Sequence, residues 1–284
     1  MSVFLVTGAS TGIGRETALL LARSAHTVFA GVRRTQDGES LTAAGAGDVR
    51  PVILDVTKPK EIAAAAALIT KNGRLDGLVN NAGMASAAPL EFIPIEEFRR
   101  QIEVNLTGQL AVTQAVLPLL RASSGRIVNV TSIGGLIAGQ MLGPYNASKF
   151  ALEALTHVLR QELAPWGIRT IAIEPGQIAT PIWGTAAKNS DRLIAELDPR
   201  VIELYGKRIA GAQNMAKNAA ANGLDPVKVA EVIQTALTAK NPRTRYPVGT
   251  DAKIGSALLA RLPDRLRDRL LNGRTQPRPA AATK

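Results

Sequence analysis

The feature that most constrains this chain is the alternation of short apolar runs with longer segments of helical period, starting at residue 3. Val3-Phe4-Leu5-Val6 is an unbroken apolar run that stops at Thr7 and Gly8, after which Ile13, Thr17, Leu20, Leu21 and Ser24 recur at helical spacing. That is a strand, a glycine turn and a helix. The pattern repeats: residues 27–32 predict a strand, 52–54 another, 61–70 an Ala-rich helix and 75–79 a fourth strand. A long helix over about 96–120, a strand at 126–130, a helix over about 144–164 and a strand at 169–173 follow. Strands alternating with helices demand right-handed crossovers, so the expected fold is α/β, a doubly wound parallel sheet with helices on both faces.

After Pro175-Gly176 the regularity lapses until about Pro226, where residues 227–237 resume a helix and 245–248 supply a last strand. A gap of this length is too long for an ordinary connection, and it is expected to be a helical lid or substrate-binding insertion at about 181–223. Its apolar residues include Ile182, Trp183, Leu193, Ile194, Leu197, Val201, Ile202, Leu204, Tyr205, Ile209 and Met215, which suit either a lid over an apolar substrate or plain packing at the sheet edge. Over residues 251–272, Ile254, Leu258, Leu262, Leu266 and Leu270 stand four apart with arginines between them, and Pro263 divides them into two short amphipathic helices. Residues past Gly273 have nothing to bury and are expected to be disordered. The 284 residues therefore read as one domain over 1–250 with a basic extension over 251–284.

Composition narrows the chemistry. The absence of cysteine excludes disulfides, thiol nucleophiles and Cys-ligated zinc, and two histidines, His26 and His157, leave little for a metal site; neither belongs to a motif, and no metal is expected. No apolar stretch is long enough to span a membrane and no secretory signal is evident, in keeping with a cytoplasmic protein. The net charge of +11 raises the question of nucleic acid, but from Lys240 onward eleven Lys/Arg face only Asp251, Asp264 and Asp268, so the excess is local to the tail. The tail lacks aromatics for base stacking and any reading motif, so nucleic acid is not expected. It is open to subunit packing, to folding over the site, or to contact with an anionic membrane surface.

The chemistry-bearing residues cluster at strand ends. In Thr7-Gly8-Ala9-Ser10-Thr11-Gly12-Ile13-Gly14 a strand hands over to a helix, where amide donors and the helix dipole favour a pyrophosphate. Gly8 and Gly12 permit tight turning and close approach, and Gly14 permits helix–strand packing. Asp55-Val56 ends the third strand, where the carboxylate can accept from an adenine amino group or cap the following turn. Asn80-Asn81-Ala82-Gly83 ends the fourth strand and can brace the nucleotide-side loops. Tyr145 and Lys149 lie four apart on one helix face, thirteen residues after Ser132. A phenol is a poor base at neutral pH unless a cation favours the phenolate, and Lys149 is that cation. Tyr145 can then exchange a proton with a carbonyl or alcohol oxygen that Ser132 holds. Asn105 interrupts an otherwise good helix and can hold a water that relays protons to Lys149.

Together these residues resemble the short-chain dehydrogenase/reductase family over residues 2 to about 237. The resemblance implies a Rossmann-type, NAD(P)-dependent oxidoreductase with Asn105, Ser132, Tyr145 and Lys149 as its catalytic tetrad. It implies that Lys149 binds the nicotinamide ribose, and that residues 175–180 pack on the nicotinamide side, with Pro175 and Gly176 at the turn and Ile178 and Thr180 near the carboxamide. Cofactor contacts are expected from Gly8, Ser10, Thr11, Gly12, Ile13, Gly14, Arg33, Asp55, Val56, Asn81, Ala82, Gly83, Tyr145 and Lys149. At the end of the second strand Val32 stands where NAD-preferring members carry an acid, and Arg33 can pair with a 2′-phosphate, so NADP(H) is favoured over NAD(H). Thr11, where many NADP-dependent members carry Lys or Arg, departs from that pattern. The lid and Val32-Arg33-Arg34 resemble the steroid and retinol dehydrogenase branch, so a bulky hydrophobic ketone or secondary alcohol is the expected substrate. The alternatives are a 3-oxoacyl-thioester reductase and an NADP-binding sensor without turnover. The family implies a homodimer or homotetramer built on the helices at 96–120 and 144–164.

Overall fold

The computed structural model describes residues 1–272; the expectation of disorder past Gly273 lies outside the described residues. The elements run β1 (Val3–Val6), α1 (Gly12–Arg23), β2 (Thr27–Val32), α2 (Thr35–Ala43), β3 (Val49–Ile53), α3 (Pro59–Lys71), β4 (Gly77–Asn80), α4 (Ile95–Ile102), a π-helical turn (Glu103–Thr107), α5 (Gly108–Ser123) and β5 (Arg126–Val130). They continue with α6 (Gly143–Glu162), β6 (Arg169–Pro175), α7 (Ile182–Ala195), α8 (Arg200–Asn222), α9 (Pro226–Thr238), β7 (Arg245–Val248), α10 (Thr250–Ala257) and α11 (Asp264–Asn272). The seven strands form one parallel sheet in the order β3-β2-β1-β4-β5-β6-β7.

Both faces of the sheet are buried, which is why its strands read as continuous apolar runs rather than alternating ones. Phe4 and Val6 face α1 and α9 with Val28, Ala30, Val128 and Ile171, while Val3 and Leu5 face α3 and α5 with Phe29, Leu78 and Ile127. Strand order reverses between β1 and β4, so a crevice opens at their carboxyl ends, the place where open α/β sheets bind ligands.

The differences from expectation are local. Helix α2 is not signalled by the sequence, since Thr35–Ala43 carries no helical stripe; tertiary contact holds it, with Gly38 pressed against Pro51 of β3 so closely that a Cβ there would stand 2.6 Å from the proline ring. The third strand begins at Val49, three residues earlier than predicted, because β2 pairs with it from Val28↔Val49 onward. The long helix predicted over 96–120 is two helices, α4 and α5, joined by the π turn at Asn105.

Helices α7 and α8 occupy the irregular stretch. They pack over residues 87–92 through a small apolar cluster, separate from the two cores, in which Met141, Val201 and Ile209 are buried with Phe92 and Tyr205 beside them. The Tyr205 hydroxyl donates to Glu91 Oε2 at 2.6 Å, and the Ala87 amide donates to Ser190 Oγ at 2.7 Å. Ile202 and Leu204 instead face outward and are more than half exposed.

Candidate active site

The glycine turn after β1 is shaped by what lies behind it. Gly8 and Gly12 have φ of +64° and +55°, the left-handed region that glycine enters without strain. A Cβ on Gly8 would lie 2.8 Å from the Ala82 backbone, and one on Gly12 would lie 3.1 Å from Thr180. Thr7 and Asn81 lock this turn to the end of β4: Thr7 Oγ1 accepts from the amides of Asn81 (2.9 Å) and Ala82 (3.0 Å), and Asn81 Nδ2 donates to the carbonyls of Thr7 (3.0 Å) and Gly8 (3.1 Å). The bracing expected of Asn81 is present, and Thr7 is its unforeseen partner. The first-turn amides of α1 follow at Gly12, Ile13 and Gly14, with Ser10 and Thr11 on the approach, and these donors have no acceptor within a helix. A glycine cradle and a helix N-terminus at the topological switch point fit a dinucleotide pyrophosphate.

At the end of β2 the two arginines behave differently. Arg34 is clamped to Asp37 through Nε (3.0 Å) and a terminal nitrogen (2.8 Å), whereas Arg33 is exposed and forms no hydrogen bond with any described residue. Asp55 accepts from both the amide (3.0 Å) and the hydroxyl (2.8 Å) of Thr57 through Oδ1. Burial pushes its carboxyl up, but the Thr57 bonds together with the fields of Arg33 and Lys58 leave it below the usual range. Of the two readings of Asp55, the local turn is therefore realised, with Oδ2 left over for another donor. Val56 and Ile178 are buried in the cores, 4% and 3% exposed.

The residues expected to form the tetrad come together from three elements. Ser132, at the end of β5, accepts from the Gly134 amide at 3.0 Å and hydrogen bonds the Tyr145 hydroxyl. Lys149 is buried, with Nζ donating to the Val130 carbonyl at 2.9 Å and standing 5.8 Å from the centre of the Tyr145 ring. Asn105 is fully buried in the π turn; its Oδ1 accepts from the Met84 amide (2.8 Å), and its Nδ2 donates to the Met84 carbonyl (2.9 Å) and to Ser148 Oγ (3.0 Å). The Asn105 side chain thus ties the loop after β4 to α6 with both Nδ2 hydrogens, and Oδ1 keeps one lone pair for a further donor. Gly83 keeps the gap between Asn105 and Lys149 open, since a Cβ there would lie 3.4 Å from Asn105 Oδ1 and 3.9 Å from Lys149 Nζ.

The electrostatics differ from the sequence expectation. Burial pushes the Tyr145 phenol up, opposed by its bond to Ser132, and burial pushes Lys149 down to about 8, opposed by the carboxylate of Glu153. In the ligand-free protein burial thus outweighs the Ser132 bond at the phenol, while the Lys149 ammonium gives a hydrogen bond to the Val130 carbonyl. A protonated phenol held by a serine is a proton donor ready for a carbonyl oxygen.

The turn after β6 is fixed by a residue the sequence gave no reason to single out. Asp251, at the start of α10, accepts from the Gln177 amide at 2.7 Å and fills the space beside Gly176, and the Gly176 amide donates to Val248 at 2.9 Å. Pro175 offers its carbonyl to Ser132 Oγ at 3.4 Å. Thr180 lies against the glycine turn across the crevice.

A doubly wound sheet with a glycine cradle at its switch point and a Ser–Tyr–Lys cluster beside it defines a nucleotide-dependent oxidoreductase. The family model of the short chain dehydrogenases matches residues 2–191, and the chain belongs to that family. It is accordingly an NAD(P)-dependent short-chain dehydrogenase/reductase acting on alcohol or carbonyl groups. It is 36% identical to retinol dehydrogenase 5 of Mus musculus over 97% of this chain and 89% of the relative. It is equally 36% identical to 17-beta-hydroxysteroid dehydrogenase type 6 of Bos taurus, over 98% of this chain and 89% of the relative. A crystal structure of a short chain dehydrogenase from Burkholderia cenocepacia in complex with NADP superposes with a TM-score of 0.74 at 28% identity, covering 95% of this chain and 97% of that one.

Proposed function

We propose that the protein transfers hydride between NADP(H) and a bulky hydrophobic ketone or secondary alcohol of steroid or retinoid type, with Tyr145 as the general acid/base. The observation that carries this reading is the cluster in which buried Ser132 bonds the hydroxyl of half-buried Tyr145 and buried Lys149 stands beside the ring. The bound nicotinamide supplies or accepts the hydride. The chain does the rest: Ser132 orients the substrate oxygen, Tyr145 moves the proton at that oxygen, and Lys149 supplies positive charge and ribose contacts. The loop from Pro175 to Thr180 walls the nicotinamide side, and Asn105 holds the loop after β4 against α6. The preference for NADP rests on Arg33, the guanidinium left unpaired at the end of β2, and on the absence of an acid at Val32. The names of the relatives and the apolar cluster under α7 and α8 support the hydrophobic substrate, with those helices as its lid.

Residues 1–250 form the catalytic domain in this reading, and 251–284 the extension. Exposed Phe150 and Val158 on α6 and Ile95 on α4 support assembly of copies through those helices as a homodimer or homotetramer. No helix among the described residues is long and apolar enough to cross a membrane, and a cytoplasmic location is our reading. Exposed Ile254, Leu258, Leu266, Leu270 and Leu271 among the arginines of α10 and α11 support contact with an anionic lipid surface.

Titration of nicotinamide fluorescence with NADPH and NADH, followed by turnover on ketones graded from small diketones to steroids, tests the reading. Tight NADPH binding with turnover on the bulky ketones is expected, and Arg33→Ala should weaken NADPH about tenfold to a hundredfold with NADH unchanged. Equal loss of both cofactors overturns the NADP assignment. Turnover confined to 3-oxoacyl thioesters replaces the substrate class, and binding without any turnover leaves a sensor.

A further inference from the structure

Helix α6 carries four titratable groups at successive turns, Tyr145, Lys149, Glu153 and His157, on one stripe. The second half of that stripe belongs to a charge cluster set into the sheet edge. Glu153 is 5% exposed and Glu174, on β6, is 1% exposed. Arg245, on β7, reaches between them: one terminal nitrogen stands 2.8 Å from Glu153 Oε2, and the other bonds Glu174 Oε1. His157 Nε2 closes the outer end against Arg245, and lies 3.9 Å from Glu153 Oε2. Gly135, in the turn after Ser132, makes room for the carboxylate arm, since a Cβ there would stand 3.1 Å from Glu153 Cγ.

The charges in this cluster do not balance by themselves. Two buried carboxylates face one guanidinium, and His157 is kept neutral by burial and by the fields of Arg245 and Arg160. Burial, reinforced by Glu153, pushes the Glu174 carboxyl up, the mark of a crowded anionic site. One helical turn away lies the opposite imbalance: Lys149, 5% exposed, whose ammonium bonds a backbone carbonyl and stands 5.8 Å from the centre of an aromatic ring but forms no ion pair with any described carboxylate. Buried charge without a countercharge is unfavourable, and each excess is the natural compensation of the other.

We propose that Glu153 is a positioning residue for catalysis: its carboxylate, held by Arg245, which also binds Glu174, is the countercharge that keeps Lys149 an ammonium beside Tyr145. The inference rests on the reading of Tyr145 as acid/base for its catalytic consequence, but the effect on Lys149 does not require turnover. Groups facing Glu153 are Lys149 and His157 on its own helix, Glu174 on β6 and Arg245 on β7; Arg160 acts on His157 from the outer end. Carbonyl reduction needs both the phenol and the ammonium protonated. A nearby negative charge raises the pH at which this pair releases its first proton, and removing that charge lowers it.

The direct test follows the Lys149 Nζ resonance against pH in ¹⁵N-lysine-labelled, cofactor-free protein, assigned with Lys149→Arg. The parent midpoint is expected near 8. Glu153→Gln should lower it by about one pH unit, a tenfold fall in the ratio of charged to neutral lysine, and Glu153→Asp should fall between the two. An unchanged or raised midpoint in Glu153→Gln overturns the proposal. If that variant does not fold, Glu153→Asp decides alone: a midpoint equal to the parent's overturns it. In turnover, the alkaline limb of NADPH-dependent carbonyl reduction should move down in pH by the same amount in Glu153→Gln, with the NADPH dissociation constant unchanged. A shifted lysine in a protein that reduces no carbonyl compound would retain the countercharge and remove the oxidoreductase reading, so the two failures are separable.

Discussion

The two halves of the sheet hold the candidate site by different means. Over β1 to β3 the buried polar side chains are threonines, Thr7, Thr17 and Thr27, and the site is made of backbone: glycines at positive φ and the amides of a helix start. From β4 to β7 the interior carries Asn80, Asn129, Asn105, Lys149, Glu153 and Glu174. Asn80 Nδ2 donates to Thr113 Oγ1 (2.9 Å) and Asn129 Oδ1 (2.9 Å), and Asn129 Nδ2 donates to Thr156 Oγ1 (2.8 Å), a ladder that ties β4, β5, α5 and α6 together. A nucleotide is recognised along its whole length by repeated backbone donors, for which shape suffices. A proton must be delivered at one oxygen, which requires individual side chains locked in place, and buried polar bonds supply that specificity.

Substitutions in each half should fail differently. The largest effect is expected for Tyr145→Phe, with kcat falling about a thousandfold while NADPH titration stays at the parent affinity, because only the proton is removed. Loss of cofactor binding in that variant would break the division of labour between the halves. Gly14→Ala should do the reverse: a Cβ there would meet the Gly8 carbonyl and Asn81 Nδ2, so the glycine turn is displaced and NADPH affinity should drop about tenfold or more. An unaltered dissociation constant would show that the turn is not the pyrophosphate cradle. Asn129→Leu is the mildest for chemistry. It removes the bonds from Asn80 to Asn129 and from Asn129 to Thr156 and should cost about 2 kcal/mol in urea unfolding, with kcat/KM at saturating cofactor within about threefold of the parent.

The same division explains what could be read from the sequence. Backbone sites announce themselves locally, since Gly8, Gly12 and Gly14 lie within seven residues at a strand–helix junction, and the bounds of β2 and β5 follow from compact apolar runs. Tyr145 and Lys149 were legible through their helical spacing. The supports of the second half were not: Glu174 and Arg245 are 71 residues apart, and Asn80 and Asn129 are 49 apart. Their pairing is created by the parallel register of β4 with β5 and of β6 with β7, which no local period encodes. Glu153 did carry a signal, being the next residue on the stripe of Tyr145 and Lys149, but a glutamate on a helix ordinarily belongs to solvent. Helix α2 escaped because it is held by Gly38 against Pro51 rather than by its own propensity.

The Asp251 carboxylate that grips the Gln177 amide spans 74 residues of sequence. A ribosome delivers the chain from its N-terminus, so the glycine turn, the Ser132–Tyr145–Lys149 cluster and the pair α7 and α8 have all emerged before this last brace exists. The turn after β6, the proposed wall on the nicotinamide side, is therefore tied only when the start of α10 arrives, and a nascent chain cut short of residue 251 can build the sheet yet leave that turn untied. A single carboxylate at the start of α10 thus makes the order of the turn after β6 depend on chain added long after that turn.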